Sequence, residues 1–131
     1  MKEPVWVLRE VVLVAQAELL DEFGGIAGIR DEGMLDSALS RPLNRRAYGK
    51  AKLHELAACY AYGLVRNHPF LDGNKRIGFT VAIMFLELNG YAFIATEADA
   101  ALQTLALAAR EVGEADYALW LKKHSRKAAP R

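Results

Sequence analysis

Most of the chemistry this sequence can offer lies in one stretch, Asn67-His68-Pro69-Phe70-Leu71-Asp72-Gly73-Asn74-Lys75-Arg76. Lys75 and Arg76 fall in the first turn of a helix whose later residues are apolar on nearly every face. The positive end of the helix dipole is there, so each cation is locally unfavourable by about 0.3–1 kcal/mol. Free backbone N–H groups point out of the same turn, and Gly73 carries no Cβ to keep a ligand away from them. Donors, dipole, glycine and two cations converge on one spot, and a phosphate resolves the conflict between them. Asp72, beside that spot, is the kind of lone carboxylate that holds Mg²⁺ together with phosphate oxygens. His68, on the incoming loop, is the side chain best suited to take a proton near neutral pH. Phosphate grip, metal ligand and base together make a site for phosphoryl or nucleotidyl transfer. Phe70 has a different task, plugging the core beneath the loop. No Walker loop or dinucleotide fingerprint is present.

A helical scaffold must position these groups. Apolar spacing predicts a first helix over residues 8–23, stopped by Gly24-Gly25. Asp31 caps a short second helix over 32–40, which Pro42 ends. Residues 41–50 read as an exposed loop or small hairpin. A third helix spans 51–67 with an amphipathic stripe from Leu53 to Leu64. The fourth spans 74–89, is apolar all round and belongs at the centre of a bundle. Residues 91–95 can form a short extended segment, Thr96 opens a fifth helix reaching about 112, and a sixth covers 114–124. The basic tail, 125–131, is expected to fray. The fold class is an all-α bundle forming one domain over 1–131, with at most a small β-hairpin as decoration.

Composition narrows the function classes. Hydrophobic residues make up 53%, enough for a core, while 17 basic against 16 acidic residues leave a net charge near +1. That balance gives no reason to expect nucleic acid or an anionic membrane as partner. The longest apolar run is too short to span a bilayer, and Met1-Lys2-Glu3-Pro4 lacks the shape of a secretion signal. The single cysteine, Cys59, excludes an internal disulfide and reads as a buried structural thiol. These features point to a reducing cytoplasm. His54 and His124 read as structural, and Arg30 with Asp31 as fixing the loop before the second helix.

Residues 68–76 resemble the signature of the Fic/Doc family, His-Pro-Phe-x-(Asp/Glu)-Gly-Asn-(Gly/Lys)-Arg, at every fixed position. The run from Gly28 to Leu39 resembles the Doc (death-on-curing) branch, as does the chain length. The resemblance implies a Fic-type bundle with its active-site loop at the N-terminus of a buried central helix. It implies that His68 deprotonates a hydroxyl on a target protein, that Asp72 holds Mg²⁺, and that Gly73, Asn74 and Lys75 bind the nucleotide with Arg76 on its phosphates. Loop 41–50 corresponds in position to the family's flap, which clamps a target segment. Typical nucleotidyl transferases of the family carry glycine where this chain has Lys75, and lysine there goes with an inverted nucleotide whose γ-phosphate faces the target. The implied activity is ATP-dependent (or other NTP-dependent) phosphorylation of elongation factor Tu, arresting translation, by a toxin that a Phd-like antitoxin restrains. Protein nucleotidylation (AMPylation) and a catalytically silent nucleotide-binding module remain the competing readings. Many relatives carry an inhibitory helix of the form (Ser/Thr)-x-x-x-Glu, but four residues after Ser37, Ser40, Thr80, Thr96, Thr104 and Ser125 stand Arg41, Asn44, Met84, Ala100, Ala108 and Ala129.

Overall fold

A computed structural model describes residues 3–128, so the outermost residues of both the N-terminal stretch and the basic tail lie outside it. The chain forms six helices: α1 (Arg9–Phe23), α2 (Glu32–Tyr48), α3 (Leu53–Asn67), α4 (Asn74–Leu88), α5 (Glu97–Ala108) and α6 (Glu114–Lys123). Two short strands, β1 (Tyr91–Phe93) and β2 (Ser125–Lys127), pair antiparallel with Phe93 opposite Ser125. The architecture is the expected all-α bundle with a small antiparallel sheet as its only decoration among the described residues.

The centre is shared between α3 and α4. From Leu56 to Ala61, α3 is buried without a break, more fully enclosed than α4, where Phe79, Ile83 and Met84 stay half-buried. Small residues make this possible. A Cβ on Gly63 would stand 3.2 Å from Ala38 Cα of α2, and one on Gly78 would stand 2.9 Å from Val65 Cγ2 and 3.2 Å from the Ala61 carbonyl oxygen. The α2–α3 and α3–α4 crossings are therefore near backbone contact, and the interior has no room for added volume. Gly78→Val is expected to lower stability by about 1–3 kcal/mol through overpacking, a fall in melting temperature of roughly 5 °C or more. A variant that melts with the wild type would refute that close approach.

Two departures from the sequence reading concern α2 and the tail. Pro42 does not end α2, which continues a further turn and a half to Tyr48 with Pro42 buried inside it. A proline there costs about 3 kcal/mol locally, and long-range contacts outweigh it. Arg41 forks onto Glu114 of α6 at 2.7 and 3.0 Å, and Arg45 reaches both Glu114 and Glu55 of α3. Arg41 also stacks over Tyr62 of α3, 4.7 Å from the ring centre. Residues 41–48 are thus helix, not a loop or hairpin, and Arg41 and Arg45 join α2 to α3 and α6. The tail does not fray over Ser125–Lys127: it is the strand β2, placed beside β1.

Smaller shifts follow local geometry. α5 stops at Ala108 rather than near Val112, because Arg110 turns left-handed at φ 64°. Val5 exchanges two hydrogen bonds with the Asn89 side chain, and the Ala128 N–H donates to the Gly90 carbonyl, so the two ends of the described chain meet at one turn. No helix among the described residues is long and apolar enough to cross a membrane.

Candidate functional site

The loop between α3 and α4 is built by residues that cannot continue a helix. Asn67 ends α3, and His68 takes a left-handed conformation at φ 52°, ψ 53°. Pro69 then disfavours a helical return for the residue before it. Phe70 is buried to 1% exposure, as its plugging role requires. Gly73 starts α4 from φ 77°, a left-handed position that glycine takes without strain.

Asn74 closes the loop. Its side chain accepts from the Phe70 N–H and donates to the Phe70 carbonyl, both at 2.9 Å, and the residue is buried. What Asn74 can offer a ligand is its backbone N–H, one of those in the first turn of α4 that the helix leaves without an acceptor. Lys75 and Arg76 of that turn, Asp72 just before it and His68 at the end of α3 are all exposed. Of the six residues singled out in the sequence, Gly73 is the N-cap of α4, Asn74, Lys75 and Arg76 lie in its first turn, Asp72 directly precedes it, and His68 caps the end of α3 at the start of the same loop.

Asp72 accepts from its neighbours: the Gly73 N–H donates to Oδ1 at 2.9 Å and the Ile26 N–H to Oδ2 at 3.2 Å. Its carboxylate is held in place yet exposed, with lone pairs free for a cation. No cluster of three or more histidine, cysteine or acidic side chains able to hold a metal exists among the described residues. One exposed carboxylate, fixed by two backbone N–H groups, could hold a hard cation only together with oxygens of a ligand. Arg76 rests over the ring of Phe23, at the end of α1, 4.1 Å from its centre. Among the described residues it makes no ion pair.

A strap, residues 26–31, runs against the loop from outside. The Leu71 N–H donates to the Gly28 carbonyl, the Arg30 and Asp31 N–H groups share the Pro69 carbonyl, and Ile29 bridges Phe70. Arg30 donates from Nε to the His68 carbonyl at 2.6 Å and from Nη2 to the Asn67 carbonyl at 2.9 Å. Asp31 caps α2 by accepting from the Met34 N–H. Both residues fix the loop as the sequence suggests.

Gln16 of α1 escaped the sequence reading. It is 5% exposed, donates to the Asp72 carbonyl at 2.9 Å, and lies under Gly73. Its Oε1 is buried without a partner among the described residues. The only signal was a polar residue on an apolar helix face, between Val12 and Ala15 on one side and Leu19 and Leu20 on the other.

The remaining candidates lie elsewhere. His54 sits at the opposite end of α3, about 20 Å from His68 by helical rise; burial lowers its pKa, against the pull of Glu55. His124 packs on Trp120 beside Asp99. Cys59 is buried, and burial pushes its thiol up to about 11, so it is inert as the sequence suggests.

Comparison with known proteins identifies the family. Residues 6–86 match the model of the Fic/DOC family. Over 85 residues the chain is 41% identical to the "Toxin Doc" of Mycolicibacterium smegmatis, covering 63% of this chain and 62% of that protein. Over 83 residues it is 32% identical to the "Protein kinase doc" of Escherichia phage P1, covering 63% of this chain and 65% of that protein. In both cases the match spans less than two thirds of the curated relative's length.

Proposed function

Since the chain belongs to the Fic/DOC family, we propose that it is a Doc-type toxin that transfers a phosphoryl group from ATP to a hydroxyl of a cytoplasmic target protein, elongation factor Tu being the first candidate. The observation that supports this reading is the loop from His68 to the start of α4, which carries exposed His68 and Asp72, the left-handed cap Gly73, and Lys75 and Arg76 in a first turn whose N–H groups the helix leaves unpaired. The first-turn N–H groups and the two cations bind the phosphates. His68 accepts the proton of the target hydroxyl as its oxygen bonds to the γ-phosphorus, and the bond from that phosphorus to the β-bridging oxygen breaks, releasing ADP. Asp72 would hold Mg²⁺, which when bound neutralises charge on the phosphates. Lys75 favours this reading over nucleotidyl transfer, in which the hydroxyl attacks the α-phosphorus and pyrophosphate leaves; the kinase name of the phage relative agrees. A Phd-like antitoxin is the proposed restraint, consistent with the toxin name of the mycobacterial relative.

Mass spectrometry of elongation factor Tu after incubation with this protein, ATP and Mg²⁺ tests the reading. A gain of one phosphoryl group is expected. A gain of a nucleotide would establish the transferase alternative, and no gain on any protein of a bacterial extract, with any nucleotide, would leave a silent binding module. In the same series, nucleotide affinity is expected to fall when Mg²⁺ is withdrawn from the wild type and to respond little in Asp72→Asn. Equal affinity with and without Mg²⁺ in both proteins would remove Asp72 from its role.

A further inference from the structure

His68 is one of two non-glycine residues with positive φ among those described, and it is the one that carries the proposed chemistry. For a residue with a Cβ the left-handed conformation costs about 1–2 kcal/mol, so something must hold it. The following Pro69 disfavours a right-handed helical alternative and leaves an extended one as the main competitor. The two wells point the Cα–Cβ bond, and with it the imidazole, in different directions. What selects the left-handed well therefore decides where the base is.

The end of α3 supplies the handle. The last carbonyls of a helix have no partner within it and carry the negative end of its dipole. Arg30 meets this need: its guanidinium edge spans the Asn67 and His68 carbonyls at 2.9 and 2.6 Å, two charge-assisted bonds to consecutive residues. The bonds lie on both sides of the His68 φ and ψ torsions, so rotating His68 to the extended well would pull one carbonyl off the fork. The rest of the strap adds its own grip at Pro69, through the Arg30 and Asp31 N–H groups. Arg30 is itself exposed, and it makes no ion pair among the described residues that would give it another task.

We propose that Arg30 is a positioning residue of the site: by gripping the Asn67 and His68 carbonyls it holds His68 left-handed and so aims the imidazole at the reacting hydroxyl. The effect on rate rests on His68 being the base; the effect on the backbone does not. The variants are Arg30→Ala and Arg30→Lys, with His68→Ala run in parallel. The first readout, NMR of the backbone carbon shifts of His68 in the free protein, needs no target. In Arg30→Ala they are expected to leave left-handed values for a mixture that includes the extended well, and in Arg30→Lys, which reaches one carbonyl at a time, to move only part of the way. The second readout is phosphoryl transfer. Misplacing a catalytic group by about 1 Å costs on the order of 10²-fold, so kcat should fall by that factor in Arg30→Ala and recover in part with lysine, while ATP affinity and melting temperature hold. The double variant Arg30→Ala/His68→Ala should be no slower than His68→Ala alone. Left-handed shifts at His68 in Arg30→Ala would overturn the proposal, as would a loss of ATP affinity equal to the loss of rate. Full turnover in His68→Ala would instead refute the base assignment and leave the backbone role of Arg30 to the NMR result.

Discussion

Replacing His68 with asparagine or alanine is expected to abolish transfer while leaving the protein folded. A positioned general base contributes about 10²–10⁴-fold, and no second histidine stands within the loop: His54 is at the far end of α3 and His124 beside Trp120. The imidazole is exposed, so its removal opens no cavity, and surface substitutions of that kind usually fall within about 0.5 kcal/mol. The left-handed backbone complicates the alanine variant, because alanine tolerates φ 52° poorly. Asparagine tolerates it well and cannot serve as the base, so His68→Asn separates chemistry from conformation. Both variants should bind ATP as the wild type does and melt with it, His68→Ala slightly earlier. Turnover in His68→Asn near that of the wild type would remove His68 from the mechanism.

Expression of the chain by itself should arrest bacterial growth, and co-expression of its antitoxin should restore it. The family resemblance implies that where members restrain themselves, a glutamate from an inhibitory helix pairs with the arginine at the position of Arg76. No Ser or Thr of this sequence is followed four residues on by glutamate, and Arg76 lies against the Phe23 ring, free of any ion pair among the described residues. A cation over an exposed aromatic ring is held by about 0.5–1 kcal/mol, too little to keep it from a phosphate. Colony counts after induction, with His68→Asn as the inactive control, measure the effect. Normal growth with folded, abundant wild-type protein would sink the toxin reading and leave an unregulated transferase as the better account.

The site was legible because its chemistry is contiguous. From His68 to Arg76 every group that meets at the head of α4 is a near neighbour in sequence, and the rules that place it, a helix start and a glycine, act over a few residues. What was missed acts over long separations. Pro42 obeys a local rule that ends helices, but Arg41 and Glu114, 73 positions apart, overrule it. The strand Ser125–Lys127 carries no apolar alternation and exists only because Tyr91–Phe93 offers an edge. Gln16 showed as a polar residue on an apolar face, yet nothing nearby could reveal that it holds the Asp72 carbonyl from 56 residues away. For Asn74 the sequence could not say which group was available: its side chain serves Phe70, which leaves its N–H.

The meeting of Val5 and Ala128 at the Asn89–Gly90 turn makes the described chain almost a closed ring. The order in which its helices are strung together is then a matter of where the ring is cut. A short linker can join those ends, and the exposed segment Gly49-Lys50, between α2 and α3, offers a new opening. In such a circular permutant the strap and Gln16 would follow the motif loop in the sequence instead of preceding it, and the same atoms would still face one another. The site belongs to the ring, not to the point at which it is cut.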